Sequence, residues 1–206
     1  MTTTEVKIPP GQFLAHRWAI YAALGVPRVD AVQWKLSVTG LVENPLQLPY
    51  SDLITSPLAV KLQRDFYCVT GWSIADVVWE GVPIKALADQ AKVRSDAGWL
   101  MFHCAEGYTA TIPVEDALVE DALIAFRLNG KPLSEEQGFP ARPFMPHLYG
   151  WKSAKWLTEM EFLRDYVDGY WERYGYHERA NVWEQERFKG HRGKHAPRRG
   201  LGTRPI

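Results

Sequence analysis

Cys68 lies in the run RDFYCVTGWSIADVVWEGVPIKAL, residues 64–87, at the start of a Thr-Gly-Trp-Ser turn. A thiolate is the side chain that holds a soft, high-valent metal while donating charge to it. A lone thiol on an apolar strand face also reads as a small buried hydrophobe, or as a nucleophile served by His103 or His147. Cys68 and Cys104 are the two cysteines. The chain therefore offers no disulfide framework, and a structural zinc would have to recruit histidines. A second chemical segment is YGWKSAKW, residues 149–156. Gly150 permits close backbone approach, while Lys152, Ser153 and Lys155 offer ammonium, hydroxyl and backbone donors to a phosphate; a basic strand end in solvent is the other reading. It is not a P-loop, because no glycine directly precedes the lysine. Arg142, in FPARPFMP, is an arginine among apolar neighbours and needs a buried anion or carbonyl partner.

The elements that must position these groups are short. Trp34, Leu36 and Val38 alternate with polar residues, which predicts a half-buried strand. Val60, Leu62, Arg64, Phe66 and Cys68 alternate in the same way, which puts Arg64 on the face of Cys68 and makes it a substrate-side candidate. Ser51 is positioned to cap a short helix. Ile84, Leu87, Ala88 and Ala91 fall at helical spacing behind Pro83. Strands are predicted at Trp99 to Cys104, Tyr108 to Ile112 and Leu123 to Leu128, with a short acidic helix after Pro113 and a hairpin at Asn129-Gly130. The Tyr108 hydroxyl is a candidate to position an oxyanion. Strands and helices mix without βαβ spacing. The expected fold is α+β, a single domain with a mixed, largely antiparallel sheet and short helices.

The 206 residues suffice for one sizeable core, expected over residues 1–175, and with a net charge of +0 the chain as a whole does not advertise nucleic acid, an anionic membrane or an acidic partner. Nine tryptophans suit either an aromatic core or a rigid pocket around a planar cofactor. No stretch is long and apolar enough to span a bilayer, and the N-terminus shows no leader pattern, so the expected location is cytoplasmic. Residues 176–206 form a basic extension. Beyond Glu186 come Arg187, Lys189, Arg192, Lys194, Arg198, Arg199 and Arg204, a composition that fits a solvated arm or a docking arm for a partner.

An ordered set of motifs resembles the sulfite oxidase type of molybdopterin-dependent oxidoreductases. It comprises Cys68, Gly71-Trp72-Ser73, Trp79-Glu80-Gly81-Val82-Pro83, Glu106-Gly107-Tyr108, Gly138-Phe139-Pro140-Ala141-Arg142 and Tyr149-Gly150-Trp151-Lys152-Ser153-Ala154-Lys155-Trp156. The resemblance implies that Cys68 ligates molybdenum in a molybdopterin cofactor. It also implies that Arg142 binds the pterin and that Lys152, Ser153 and Lys155 cradle its terminal phosphate. It places His16, Arg17 and Trp18 at the pterin, along with Gln137 where relatives have His or Asn, and Cys104 where relatives have Ser or Thr. The implied reaction is two-electron oxo transfer. With no CxxCH and no nicotinamide fingerprint, a separate electron-transfer protein such as a cytochrome is expected. Val69-Thr70-Gly71-Trp72 replaces the polar, arginine-bearing segment of animal and plant sulfite oxidases, so sulfite oxidation and sulfoxide reduction stand side by side. A cofactor-binding or docking protein without turnover and a cysteine-nucleophile enzyme are the competing classes.

Overall fold

A computed structural model describes residues 8–190. In chain order the elements are β1 (Phe13–Leu14), β2 (Lys35–Gly40), β3 (Leu46–Pro49), α1 (Tyr50–Ile54), β4 (Val60–Gln63), β5 (Phe66–Tyr67), β6 (Trp72–Ile74) and β7 (Val78–Pro83). Then follow α2 (Ile84–Ala91), β8 (Trp99–Cys104), β9 (Thr109–Pro113), α3 (Val114–Ala117), β10 (Leu123–Leu128), β11 (Lys131–Pro132), β12 (Arg142–Phe144) and β13 (Leu157–Leu163). Single 3-10 turns lie at Glu135–Gln137 and Glu172–Tyr174.

Three sheets result, in the orders β1-β6-β5, β11-β10-β7-β4 with β12 also on β10, and β3-β2-β13-β8-β9. Pairing is antiparallel except for β1 with β6 and β2 with β13. The fold is thus α+β and largely antiparallel, as the mixed short elements predicted. The larger core gathers Leu36 and Val38 of β2, Leu100 and Phe102 of β8, and Met160 and Phe162 of β13 under α2. Eight residues are too few for a free-standing helix. α2 persists because Ile84, Leu87, Ala88 and Ala91 are all buried on one face, and each large aliphatic chain so buried contributes about 1.5–3 kcal/mol. Its end is set by Lys92, which turns left-handed at φ 52°. The Asn129-Gly130 turn joins β10 to β11 with both residues at positive φ, 49° and 77°. The tryptophans mostly build core: Trp79 stacks on Phe144 at 3.9 Å, and Trp18 tilts onto Phe66 at 4.7 Å.

Three expectations change. The alternation from Val60 to Cys68 is two strands in two sheets, β4 on β7 and β5 on β6. Asp65 breaks it, its Oδ1 accepting from the Asp76 N–H at 2.9 Å. Ser51 does not cap α1: Pro49 holds that place, and the Ser51 hydroxyl donates to Asp52 at 3.1 Å. Residue 175 is not a structural boundary. Ala180 and Val182 are fully buried, the Tyr149 N–H donates to the Ala180 carbonyl at 3.0 Å, and Arg179 Nε pairs with Asp116 at 2.7 Å. Arg192, Lys194, Arg198, Arg199 and Arg204 lie outside the described residues.

Candidate active site

Cys68 sits in the turn between β5 and β6. Its N–H donates to the Trp72 carbonyl at 2.9 Å, and the Gly71 N–H donates back to the Cys68 carbonyl at 3.0 Å. Gly71 adopts φ 101°, which a side chain resists. The thiol is half-buried, with Sγ 3.2 Å from Thr70 Oγ1. Burial, then the nearby Cys68 and Tyr21, push the Tyr176 phenol above its ordinary pKa. Among the described residues no group of three or more His, Cys, Asp or Glu could hold a metal ion. A metal at Cys68 would need its remaining donors from a cofactor.

The segment 149–156 is pressed against this turn. The Gly150 N–H donates to the Tyr67 carbonyl at 2.7 Å, and a Cβ on Gly150 would stand 2.2 Å from the Phe66 ring. Arg142 is buried on the same side, its guanidinium 5.7 Å from the Phe66 ring centroid. Its Nε donates to Ser153 Oγ at 3.0 Å, Nη2 to the Ser153 carbonyl at 2.6 Å and Nη1 to the Gln137 carbonyl at 3.0 Å. Among the described residues, then, a buried cation is surrounded by neutral oxygens. Burial draws its pKa down to about 10, so it stays charged at neutral pH. Lys155 donates to the Tyr21 carbonyl at 2.8 Å and the Glu136 carbonyl at 3.2 Å. Burial, then the Arg142 charge, lower it to about 8.

Glu106 completes the cluster. One carboxylate oxygen is buried without a hydrogen-bond partner, as is the Trp151 indole N–H. Burial pushes Glu106 up from 4.5 to about 7, with Lys155 opposing. The folded protein therefore holds a proton there that the unfolded chain has released. This contribution to stability is present below pH 4.5 and is lost as pH rises through about 7. Glu106→Gln should flatten that segment of the stability–pH curve, measured by urea unfolding of the cofactor-free protein at stepped pH; an unchanged slope would place the titration elsewhere.

The predicted residues divide. Arg142, Ser153, Lys155 and Cys104 come together, the Cys104 thiol buried and held protonated by burial and then by Glu106. The Ser153 hydroxyl accepts from Arg142 and donates to the Pro143 carbonyl, so it positions the arginine. Lys152 is a correction: its ammonium is committed to a fully buried ion pair with Glu172, and also donates to the Thr111 and Glu178 carbonyls at 2.5 and 2.6 Å. Tyr108 is another, since its hydroxyl is buried and donates to the Trp151 carbonyl at 2.7 Å. Arg64 is a third. It pairs at the surface with Asp121 at 3.0 Å, because the break at Asp65 separates it from the Cys68 turn. The Gln137 side chain closes a capping box with Ser134, and its carbonyl receives Arg142. Trp18 packs against Phe66 and Trp72, while His16 and Arg17 are exposed. His103 pairs with Glu161 and His147 with Asp116, which does not bring either to Cys68 as a base. The sequence reading missed the Glu106 carboxylate as a charged member of the cluster, although its motif was visible. It also missed Glu172, which carries no local signal.

The oxidoreductase molybdopterin binding domain family matches residues 23–171. The chain is 41% identical to the uncharacterized oxidoreductase YuiH of Bacillus subtilis over 88% of its own length and 92% of YuiH. It is 28% identical to the protein-methionine-sulfoxide reductase catalytic subunit MsrP of Campylobacter jejuni, covering 68% of this chain and about half (52%) of MsrP. In three dimensions it overlays the sulfane dehydrogenase SoxCD of Paracoccus pantotrophus with a TM-score of 0.63 at 23% identity, over 77% of this chain and 46% of that one. With the profile covering most of the chain and YuiH matched nearly end to end, this protein belongs to the molybdopterin-binding oxidoreductases of the sulfite oxidase type.

Proposed function

We propose that the protein catalyses two-electron oxo transfer at a mononuclear molybdenum held by the Cys68 thiolate and a pterin cofactor, acting on a small sulfur oxyanion or a sulfoxide. The observation that carries this is Arg142, a buried cation with neutral partners among the described residues, beside a second cation at Lys155 and packed through Gly150 onto the Cys68 turn. A buried charge of this kind calls for an anion. The residues present fit such a cofactor: one half-buried soft donor, two cations, and an unpartnered buried carboxylate oxygen and indole N–H for polar edges.

When bound, the cofactor supplies a metal that changes oxidation state by two as an oxygen atom moves to or from the substrate. The protein does the rest. Arg142 and Lys155 would hold the anionic end, and Ser153 would keep the guanidinium oriented. Glu106, poised near neutrality, can hold or release a proton beside the pterin. Electrons would pass one at a time to or from a separate electron-transfer protein such as a cytochrome. Among the described residues no helix is long and apolar enough to cross a membrane. The name of MsrP favours the sulfoxide side of the substrate pair.

The test is protein purified from a host that makes molybdopterin, assayed for metal, for pterin and for the Mo(V) paramagnetic resonance signal after partial reduction. Equimolar molybdenum and that signal are expected; their absence would support a binding or docking role. Arg142→Met should weaken cofactor binding roughly ten- to hundredfold, since a charged hydrogen bond contributes about 1.5–3 kcal/mol, and the purified variant should carry less cofactor. Occupancy equal to that of the wild type would remove Arg142 from the site.

A further inference from the structure

The family match runs from residue 23 to 171, yet the turn carrying Cys68 is held by residues outside those limits. On the N-terminal side, Gln12 is buried and bridges the turn: its Nε2 donates to the Cys68 carbonyl at 3.2 Å, and its Oε1 accepts from Ser73 Oγ at 2.8 Å. The Phe13 and Ala15 N–H groups donate to the Gly71 and Ser73 carbonyls, each at 2.8 Å. On the C-terminal side, Arg187 Nη1 donates to the Val69 carbonyl, Nη2 reaches the Gly11 carbonyl at 3.2 Å, and the guanidinium lies 5.2 Å from the Tyr149 ring centroid. Lys189 N–H to the Gly175 carbonyl at 2.9 Å and His177 N–H to the Arg187 carbonyl at 3.2 Å anchor the segment from which it reaches.

We infer that Gln12 and Arg187 form a clasp that sets the direction in which the Cys68 sulfur presents to the metal, with Arg187 as a positioning residue. The inference rests on the reading of Cys68 as a metal ligand. A thiolate ligand has its orientation fixed by the peptide planes on either side of it. Here the plane before Cys68 is pinned by Gly150 on the Tyr67 carbonyl and by the Cys68 N–H on Trp72, and the plane after it by Gln12 on the Cys68 carbonyl; Arg187 fixes the next plane along, through the Val69 carbonyl. Outer partners of this sort orient a ligand and tune the metal it binds. Arg187 can do this because its planar fork joins Val69 to Gly11 across two chain segments, which a point charge cannot match.

The test compares full-length, cofactor-loaded Arg187→Met and Arg187→Lys with the wild type. Arg187→Met should stay folded and keep molybdenum. Its Mo(V) spectrum should shift or split into two species, and amide exchange across residues 69–73 should quicken about tenfold as the turn loosens. Arg187→Lys, able to reach one carbonyl, should move both readouts back towards wild type. An Arg187→Met spectrum superimposable on the wild type overturns the clasp. If Arg187→Met loses metal, retention by Arg187→Lys supports the clasp, and loss from both overturns it in favour of a purely structural role. Wild-type protein that takes up no molybdenum sinks the reading of Cys68 and the inference with it, a result visible before any variant is made.

Discussion

Replacing Cys68 by Ser is expected to abolish redox turnover and the Mo(V) signal while leaving the protein folded. The thiol contributes little to the turn, whose hydrogen bonds are made by the backbone of Cys68, Gly71 and Trp72. Serine keeps the size, and its hydroxyl can still meet Thr70 Oγ1, now 3.2 Å from the sulfur. The stability change should stay within about 1 kcal/mol. What serine cannot do is present a soft anionic donor at neutral pH. A thermal melt, a metal assay and the resonance spectrum together check this, and full turnover in the variant would end the ligand assignment. A complementary readout uses the wild type. Cys68 should resist iodoacetamide while loaded and react once the cofactor is stripped, whereas a free nucleophile would react in both states.

Lys152→Met should cost about 3–5 kcal/mol, the usual penalty for removing one partner of a buried ion pair. That is a large share of a typical domain stability of about 5–15 kcal/mol. The ammonium and the Glu172 carboxylate are both fully buried, and one Glu172 oxygen already lacks a hydrogen-bond partner. Without the lysine, that carboxylate and the Thr111 and Glu178 carbonyls lose their donor. Adding Glu172→Leu should recover much of the loss, because it removes the stranded charge rather than pairing it. Urea unfolding of the single and double variants decides the matter. A phosphate ligand would behave differently, with single-variant stability near wild type and cofactor occupancy reduced, and that pattern would restore Lys152 to the cradle.

This lysine shows where sequence reading stops. Trp99–Cys104 and Ile84–Ala91 were legible because their periodicity is local and no distant residue has to be known. Arg142 was legible for a related reason: a cation among apolar neighbours needs a buried partner, a problem that can be stated from the residues alone, and the Ser153 and Gln137 oxygens meet it. The partner of Lys152 lies 20 positions away with nothing between to mark it. The same holds for Arg64, whose alternation with Phe66 and Cys68 is real, but the break comes from Asp65 accepting a backbone N–H 11 residues further on. Spacing names which residues can act. The ion pairs, which depend on folding, decide which of them are free to do so.

The parallel pairing of β2 with β13 has a consequence for the order of events in synthesis. Thr39 Oγ1 donates to Glu159 at 2.5 Å across 120 residues, and β13 then joins β2 to β8 in the middle of its sheet. Pairing over such separations comes late in folding. When the Cys68 turn leaves the ribosome, Arg142, Lys155 and Arg187 have not yet been made. A nascent chain thus offers the thiol with no cradle beside it, and an anionic cofactor has nowhere to lodge until translation has passed the last of them. If Cys68 and these cations hold the cofactor as proposed, loading belongs to the finished polypeptide, and growth without molybdenum should accumulate folded chains whose Cys68 reacts with iodoacetamide.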